Sequence, residues 1–352
     1  MPDIPSDPTL GTTSTIGKYF GVVSTIPSLI AAAWLYLLAV LQPWTDVIDL
    51  GRLKDVNPVK QPSHAVALIA FALVLAVVTH PIQFVLIQLL EGYWGLSRPG
   101  IALAHRRAAV HARRRAAANA MHKAYNPVAS ATASSGLPPP PPPSAPTSGE
   151  PSGPSAPPDP AETLRHMLIT SASGAVVASY PRNPATVLPT RLGNVLRAYE
   201  SRGGVAVGLP LLNWTTYIGL VAEPSHTAYV QDQRQELDLA VRMTGVGAFC
   251  AGVTALALWP HGAWVLLSFV PYAATWISYR GALSAAHAYG QACEAWLYLN
   301  RFKLYEQLHL NLPTTSREER AIGKRLAEMV AANPFFEQEY AHASDGSAAQ
   351  TP

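Results

Sequence analysis

Charge is what this chain has least of. Only 13% of its 352 residues are Asp, Glu, Lys or Arg, about half the share of an ordinary soluble domain. With 49% hydrophobic residues and a mean hydropathy of +0.14, the composition excludes a typical cytosolic enzyme and an intrinsically disordered chain. Cysteine is scarce too. Two residues, Cys250 and Cys293, cannot make a disulfide framework, a zinc ribbon or a CxxC redox pair. The chain also lacks a P-loop, GxGxxG, HExxH or GxSxG motif. With no nucleophile–base pair or metal cluster to assemble, no enzymatic activity and no cofactor are expected.

What is present is long uncharged runs. Residues 20–44 hold none of the four charged types, and about 20 residues suffice to cross a bilayer core. Pro27 falls in the first turns, where a lost backbone hydrogen bond is tolerated, and Trp44 suits an interfacial anchor. The run is too long for a signal peptide and its head carries Asp3 and Asp7 rather than basic residues, so a retained anchor is expected. A second run covers 65–90 and ends at Glu91-Gly92-Tyr93-Trp94. The third separates Arg242 from Arg280 by 37 uncharged residues, roughly 55 Å of helix and nearly two bilayer cores. Trp259-Pro260-His261-Gly262 stands at its middle, and Pro with Gly is turn chemistry. A helical hairpin with spans near 241–259 and 263–280 follows. Trp259 and Trp264 would share one interface, with Arg242 and Arg280 at the other.

The segment 203–222 is uncharged, but it carries four glycines, Pro210 and Asn213. Whether it spans, lies on or stays outside the membrane is open from sequence. The positive-inside rule favours four spans: they put Arg98, Arg106, Arg107, Arg113, Arg114, Arg115 and Lys123 in the cytoplasm with both termini. The expected fold class is therefore mainly α, a polytopic four-helix protein of the cell membrane with a Pro-rich tether and a small cytoplasmic module.

The expected organisation runs as a flexible N-terminus (1–18), a two-span hairpin (19–97) and a basic juxtamembrane helix (98–125) continuing out of the second span. Next come a Pro-rich disordered linker (126–161), a cytoplasmic module (162–240), the second hairpin (241–281), a helical tail (282–335) and a disordered end (336–352). Arg106, Arg107, Arg113, Arg114 and Arg115 are candidates for contact with anionic lipid headgroups, each worth about 1 kcal/mol near such a surface; a plain topology determinant is the simpler use. Nucleic acid is not an expected partner, because only Tyr125 interrupts the basic residues with an aromatic ring. Residues 126–160 hold 13 of the 32 prolines, too many for a core, and the tether should divide the chain into two membrane-linked parts. Beyond it, Leu164–Ile169 and Gly174–Val177 read as helix and strand. Thr190 reads as an N-cap, and Leu192, Val195, Leu196 and Tyr199 form one apolar helical face. Ser316-Arg317-Glu318-Glu319 reads as a capping box.

Two stretches carry a resemblance. Leu188-Pro-Thr-Arg-Leu-Gly-Asn-Val-Leu-Arg197 with Tyr199-Glu200 is one. The other is Ala288-Tyr-Gly290, then Arg301-Phe-Lys-Leu-Tyr-Glu306 and the glutamates at 318–319. Over roughly 180–325 the chain resembles an uncharacterised family of multi-pass membrane proteins found mainly in actinobacteria. The resemblance implies the topology and no activity.

The leading functional expectation is a non-enzymatic anchor or scaffold that presents a cytoplasmic interaction module to a protein partner. Thr190, Arg191, Asn194 and Arg197 are its candidate residues: a docking surface, or a bracket in which Arg191 and Asn194 tie their helix to the C-terminal tail. The alternative is a small channel or transporter subunit with a polar stripe of His80, Gln83 and Gln88 on the second span, since ionisable groups at membrane depth are usually functional. A homo-oligomer is left open. The biological process and the partner's identity are not legible.

Overall fold

The computed structural model describes residues 25–41, 51, 62–95, 97–125, 160–331, 337 and 340. The chain is mainly helical, with no strand among the described residues. Among the described residues nine α-helices follow in order: α1 (Ile26–Val40), α2 (Pro62–Glu91), α3 (Arg98–Tyr125), α4 (Pro160–Ala178), α5 (Arg191–Arg202), α6 (Leu211–Val221), α7 (Pro224–Leu258), α8 (Phe269–Gln307) and α9 (Ser316–Val330). They form two compact units, one of residues 1–94 with 199–352 and one of residues 95–198. The division falls inside α5, just before Tyr199.

The first unit is organised by α7 and α8, which pack along each other. Gly247 sits against Pro271 and Thr275 near one end. At the other, Trp296 donates to Thr227 and the Glu223 N–H to Asn300. The pair is therefore antiparallel, and its reversal lies where Trp259-Pro260-His261-Gly262 places it. Gly262 has φ +60° and ψ −119°, a conformation closed to residues with a Cβ. A 3₁₀ stretch, Trp259–Ser268, completes the turn. With 35 and 39 residues, α7 and α8 are rods of about 52 and 58 Å.

The two halves of this hairpin differ in what they bury. Near the turn the packed side is mostly small: Gly247, Cys250 and Thr254 on α7 are buried, with Leu258 at the helix end, while Leu256, Trp259, Phe269 and Ile277 are exposed. Here α1 and α2 pair with each other and against α7. The Trp34 indole donates to Thr254 at 2.9 Å, and Thr254 donates to the Cys250 carbonyl. The far half carries the main core. Trp214 and Ile218 of α6, Trp296, Leu297, Leu304 and Tyr305 of α8, and Ile322 and Leu326 of α9 are buried together. The segment 203–222 thus contributes α6, eleven residues long. That is about 17 Å of rise, roughly half a bilayer core, and it packs on α8 through a buried apolar face.

Among the described residues, one helix is a clear candidate for crossing a membrane by length and apolarity, within Pro224–Gln307. Ile26–Val40 and Ser63–Val78 are apolar but shorter, and Arg191–Val207 with Leu211–Val221 meets the test only if taken together across a 71° bend.

The second unit is a helical hairpin, α3 against α4. Three sequence expectations are corrected here. Helix α3 does not continue out of α2: α2 stops at Glu91 and α3 starts at Arg98, with Gly92 and Gly95 at positive φ between them. The expected helix and strand over 164–177 are one helix, α4, because Gly174 lies against the ring of His122 and marks a close approach rather than a break. Nor does the Pro-rich segment separate two parts, since the helices on either side of it pair. Its residues 126–159, with 1–24 and 341–352, lie outside the described residues.

The α9 cap is shifted by one residue from its expected place. Thr315 accepts from the Glu318 N–H at 3.2 Å, and Glu318 accepts in return from the Thr314 N–H and hydroxyl at 2.8 and 2.9 Å. Ser316 is the first residue of the helix proper. The next glutamate, Glu319, faces inward and pairs with Arg301.

Candidate functional site

The Leu188–Arg197 string builds its own support. Asn194, buried, donates to the carbonyls of Leu188 (2.7 Å) and Thr190 (2.6 Å) and accepts from the Leu188 N–H (2.8 Å). The Thr190 hydroxyl caps α5 by accepting from the Gly193 N–H at 3.1 Å. Asn194 is thus a bracket, and what it clamps is the turn that precedes its own helix. Its amide donates twice and accepts once, a combination that a carboxylate cannot supply. Arg191 is exposed and Arg197 half-buried.

The other end of α5 docks on α8. The Tyr199 ring lies over Gly290, where an added Cβ would fall 2.2 Å from Tyr199 Cγ. The Tyr199 hydroxyl is 3.4 Å from His287 Nδ1. Arg202 stacks on the Tyr199 ring at 3.8 Å and donates to Glu294 at 2.9 Å. Burial, with Arg202 nearby, lowers the pKa of His287 and keeps the ring neutral. The two stretches that carry the resemblance therefore meet physically, through Tyr199 and Gly290.

A second polar knot ties α8 to α9. Arg301 donates to Glu319 at 2.6 Å and to the Tyr298 carbonyl, with Phe302 under its guanidinium at 4.2 Å. Glu319 is almost fully buried. Burial and the neighbouring Glu319 raise the Tyr305 phenol above its ordinary pKa.

Sequence reasoning missed His287, Arg202, Glu294, Arg301 and Glu319 as a set. One signal was available: Glu294 is the first acidic residue after Asp238, and a lone acid on the flank of an uncharged run needs a cation.

Of the expected membrane stripe, one side chain lies among the described residues. Gln88 is exposed on α2; His80 and Gln83 lie within that helix, but their side chains are outside the described residues. On α3, Arg106, Arg107, Arg113 and Arg114 are exposed, whereas Arg115 donates to the Arg182 carbonyl at 2.6 Å. Compared with known proteins, the chain matches no family model, no curated protein and no solved structure.

Proposed function

We propose that the chain is a four-span anchor of the cell membrane, with both termini cytoplasmic, that holds an interaction module at the cytoplasmic face and performs no catalysis. The observation that supports this is the two-part character of the α7–α8 hairpin. Its turn-proximal half exposes large apolar side chains around an interior of mostly small residues, as lipid-facing helices do. Its far half extends into a packed core with α6 and α9. Rods of about 52 and 58 Å exceed a bilayer core of about 30 Å, and leave length for the module beyond it. In this reading α1 and α2 supply the other two spans, and α6 belongs to the module. Membership of the actinobacterial family suggested by the Leu-Pro-Thr-Arg-Leu-Gly-Asn string is part of the same proposal and adds no activity.

Asn194 serves the α5 turn internally, which leaves Arg191 as the outward residue for a partner. The test is a crosslinked pull-down from native membranes through a C-terminal tag, read by mass spectrometry, for the wild type and Arg191→Glu. A stoichiometric second protein that is lost in the variant supports the scaffold. Recovery of this chain alone as a homo-oligomer overturns it and makes a liposome flux assay of the channel alternative the next step.

A further inference from the structure

The α3–α4 hairpin is built inside out. Its seam on α3 is Ala104, Ala108, His111, Arg115, Ala118 and His122, half-buried or buried at alternating intervals of four and three. It meets Thr170 and Ser173 on α4 and Tyr180 just after it: His111 bonds the Tyr180 hydroxyl at 3.0 Å, and His122 lies 3.3 Å from the Thr170 carbonyl. That heptad spacing is coiled-coil geometry, but small and polar residues occupy it. The large apolar side chains are elsewhere. Leu103, Val110 and Met121 are 53%, 52% and 56% exposed, and with Arg107 and Arg114 they stand one position ahead of the seam, at intervals of four, three and four and then a full heptad to Met121. Leucine, arginine, valine and arginine thus alternate along one outward stripe of α3.

We infer that this stripe, Leu103–Arg107–Val110–Arg114–Met121, is a docking face for an anionic lipid surface, with the apolar side chains among the acyl chains and the two guanidinium groups on the headgroups. Charge complementarity selects the occupant. Helix α3 has seven Lys and Arg and no acid, and residues 95–198 as a whole have eleven against three. A second copy of the stripe would set arginine against arginine. Nucleic acid would satisfy the arginines but leave the aliphatic side chains in water, with no aromatic platform for bases. An anionic bilayer satisfies both kinds of side chain, as for helices lying in the interface plane. Arginine suits this use because its stem is apolar while its head reaches the phosphates. The same geometry removes Arg106 and Arg113 from the face, since they project about a third of a turn away, and Arg115, which faces the seam.

The test uses the full chain reconstituted in vesicles of phosphatidylcholine alone or mixed with phosphatidylglycerol. An environment-sensitive dye sits on Val110→Cys, and the acyl chains of the lipids carry a quencher. Quenching is expected in the anionic vesicles, weak in the neutral ones, and reversed at about 1 M salt, where the screening length falls to about 3 Å. Arg107→Gln with Arg114→Gln should lower the docked-to-free ratio roughly 30-fold. Arg106→Gln with Arg113→Gln, an equal charge change on another face, should lower it far less. Equal quenching in the two lipids, or equal effects of the two double variants, overturns the inference. So does a dye shielded from water but not quenched by lipid, which assigns the stripe to self-association. A second label on Leu256→Cys, near the hairpin turn, reports insertion separately. Failure there with normal Val110 behaviour counts against the anchor and leaves the lipid face standing.

Discussion

The ring of Tyr199 occupies the space that a side chain at position 290 would need. An alanine Cβ there would sit 2.2 Å from Cγ and 2.3 Å from Cδ2 of the tyrosine, well inside van der Waals contact. Gly290→Ala should therefore destabilise the first unit by about 1–3 kcal/mol, the usual cost of overpacking. Tyr199→Ala should relieve much of that penalty, so the double variant is less destabilised than the sum of the singles. Thermal unfolding of the purified protein across the four-member cycle checks this; strictly additive effects would dissolve the proposed contact.

Asn194 and Arg191 stand three residues apart on α5 but should respond very differently to substitution. Asn194→Asp loses both amide donors and sets a carboxylate against two carbonyls, a loss of about 2–3 kcal/mol. Arg191→Ala, on an exposed side chain, should change stability by no more than about 0.5 kcal/mol. Hydrogen exchange of the amides from 188 to 202 distinguishes the two, because the first variant should speed exchange there and the second should not.

The register of the α9 cap is decided by two single substitutions. Thr315→Ala removes the acceptor for the Glu318 N–H and should cost about 1 kcal/mol, whereas Ser316→Ala should be close to neutral. Hydrogen bonds from Thr314 hold the Glu318 carboxyl below its usual pKa, so its contribution is present above the ordinary glutamate range and is lost as pH falls through the lowered value.

His111 makes the second unit sensitive to mild acid. Burial first, then Arg107, Arg114 and Arg191, lowers its pKa, so the folded hairpin keeps the ring neutral. Below about pH 6.5 the unfolded chain binds a proton that the folded one refuses. Stability therefore rises with pH up to that value and declines below it. Intrinsic-rate-corrected hydrogen exchange over 98–125 should be faster near pH 5.5 than near pH 7.5, a difference of about one unit on either side of the free-histidine value. His111→Gln should flatten the profile.

The reversal at Trp259-Pro260-His261-Gly262 was legible because proline and glycine act locally, and an uncharged run too long for one span has to turn. The α9 cap was legible only to within a residue: Thr315 and Ser316 are both competent caps, and Glu318 and Glu319 stand three residues after each. What separates them is Arg301, 18 residues upstream in the chain, which draws Glu319 inward. The pairing of α3 with α4 could not be read at all. Its seam is written in alanine, serine and histidine, which carry no hydrophobic period, and 34 residues intervene. The docking of Tyr199 on Gly290 was equally hidden, since nothing in either stretch announces the other across 91 positions.

The pairing of α3 and α4 also changes what the proline-rich segment is. Tyr125 and His166, near its two ends, stack edge to face at 4.9 Å between ring centroids, so the intervening chain closes a ring whose ends are already joined. Its length is then nearly free to drift. Doubling the length of a closed loop adds only about 0.6 kcal/mol of closure entropy. A whole folded domain could be spliced between residues 126 and 159 with its two ends held together, and a protease that cut there would leave both fragments clasped to each other.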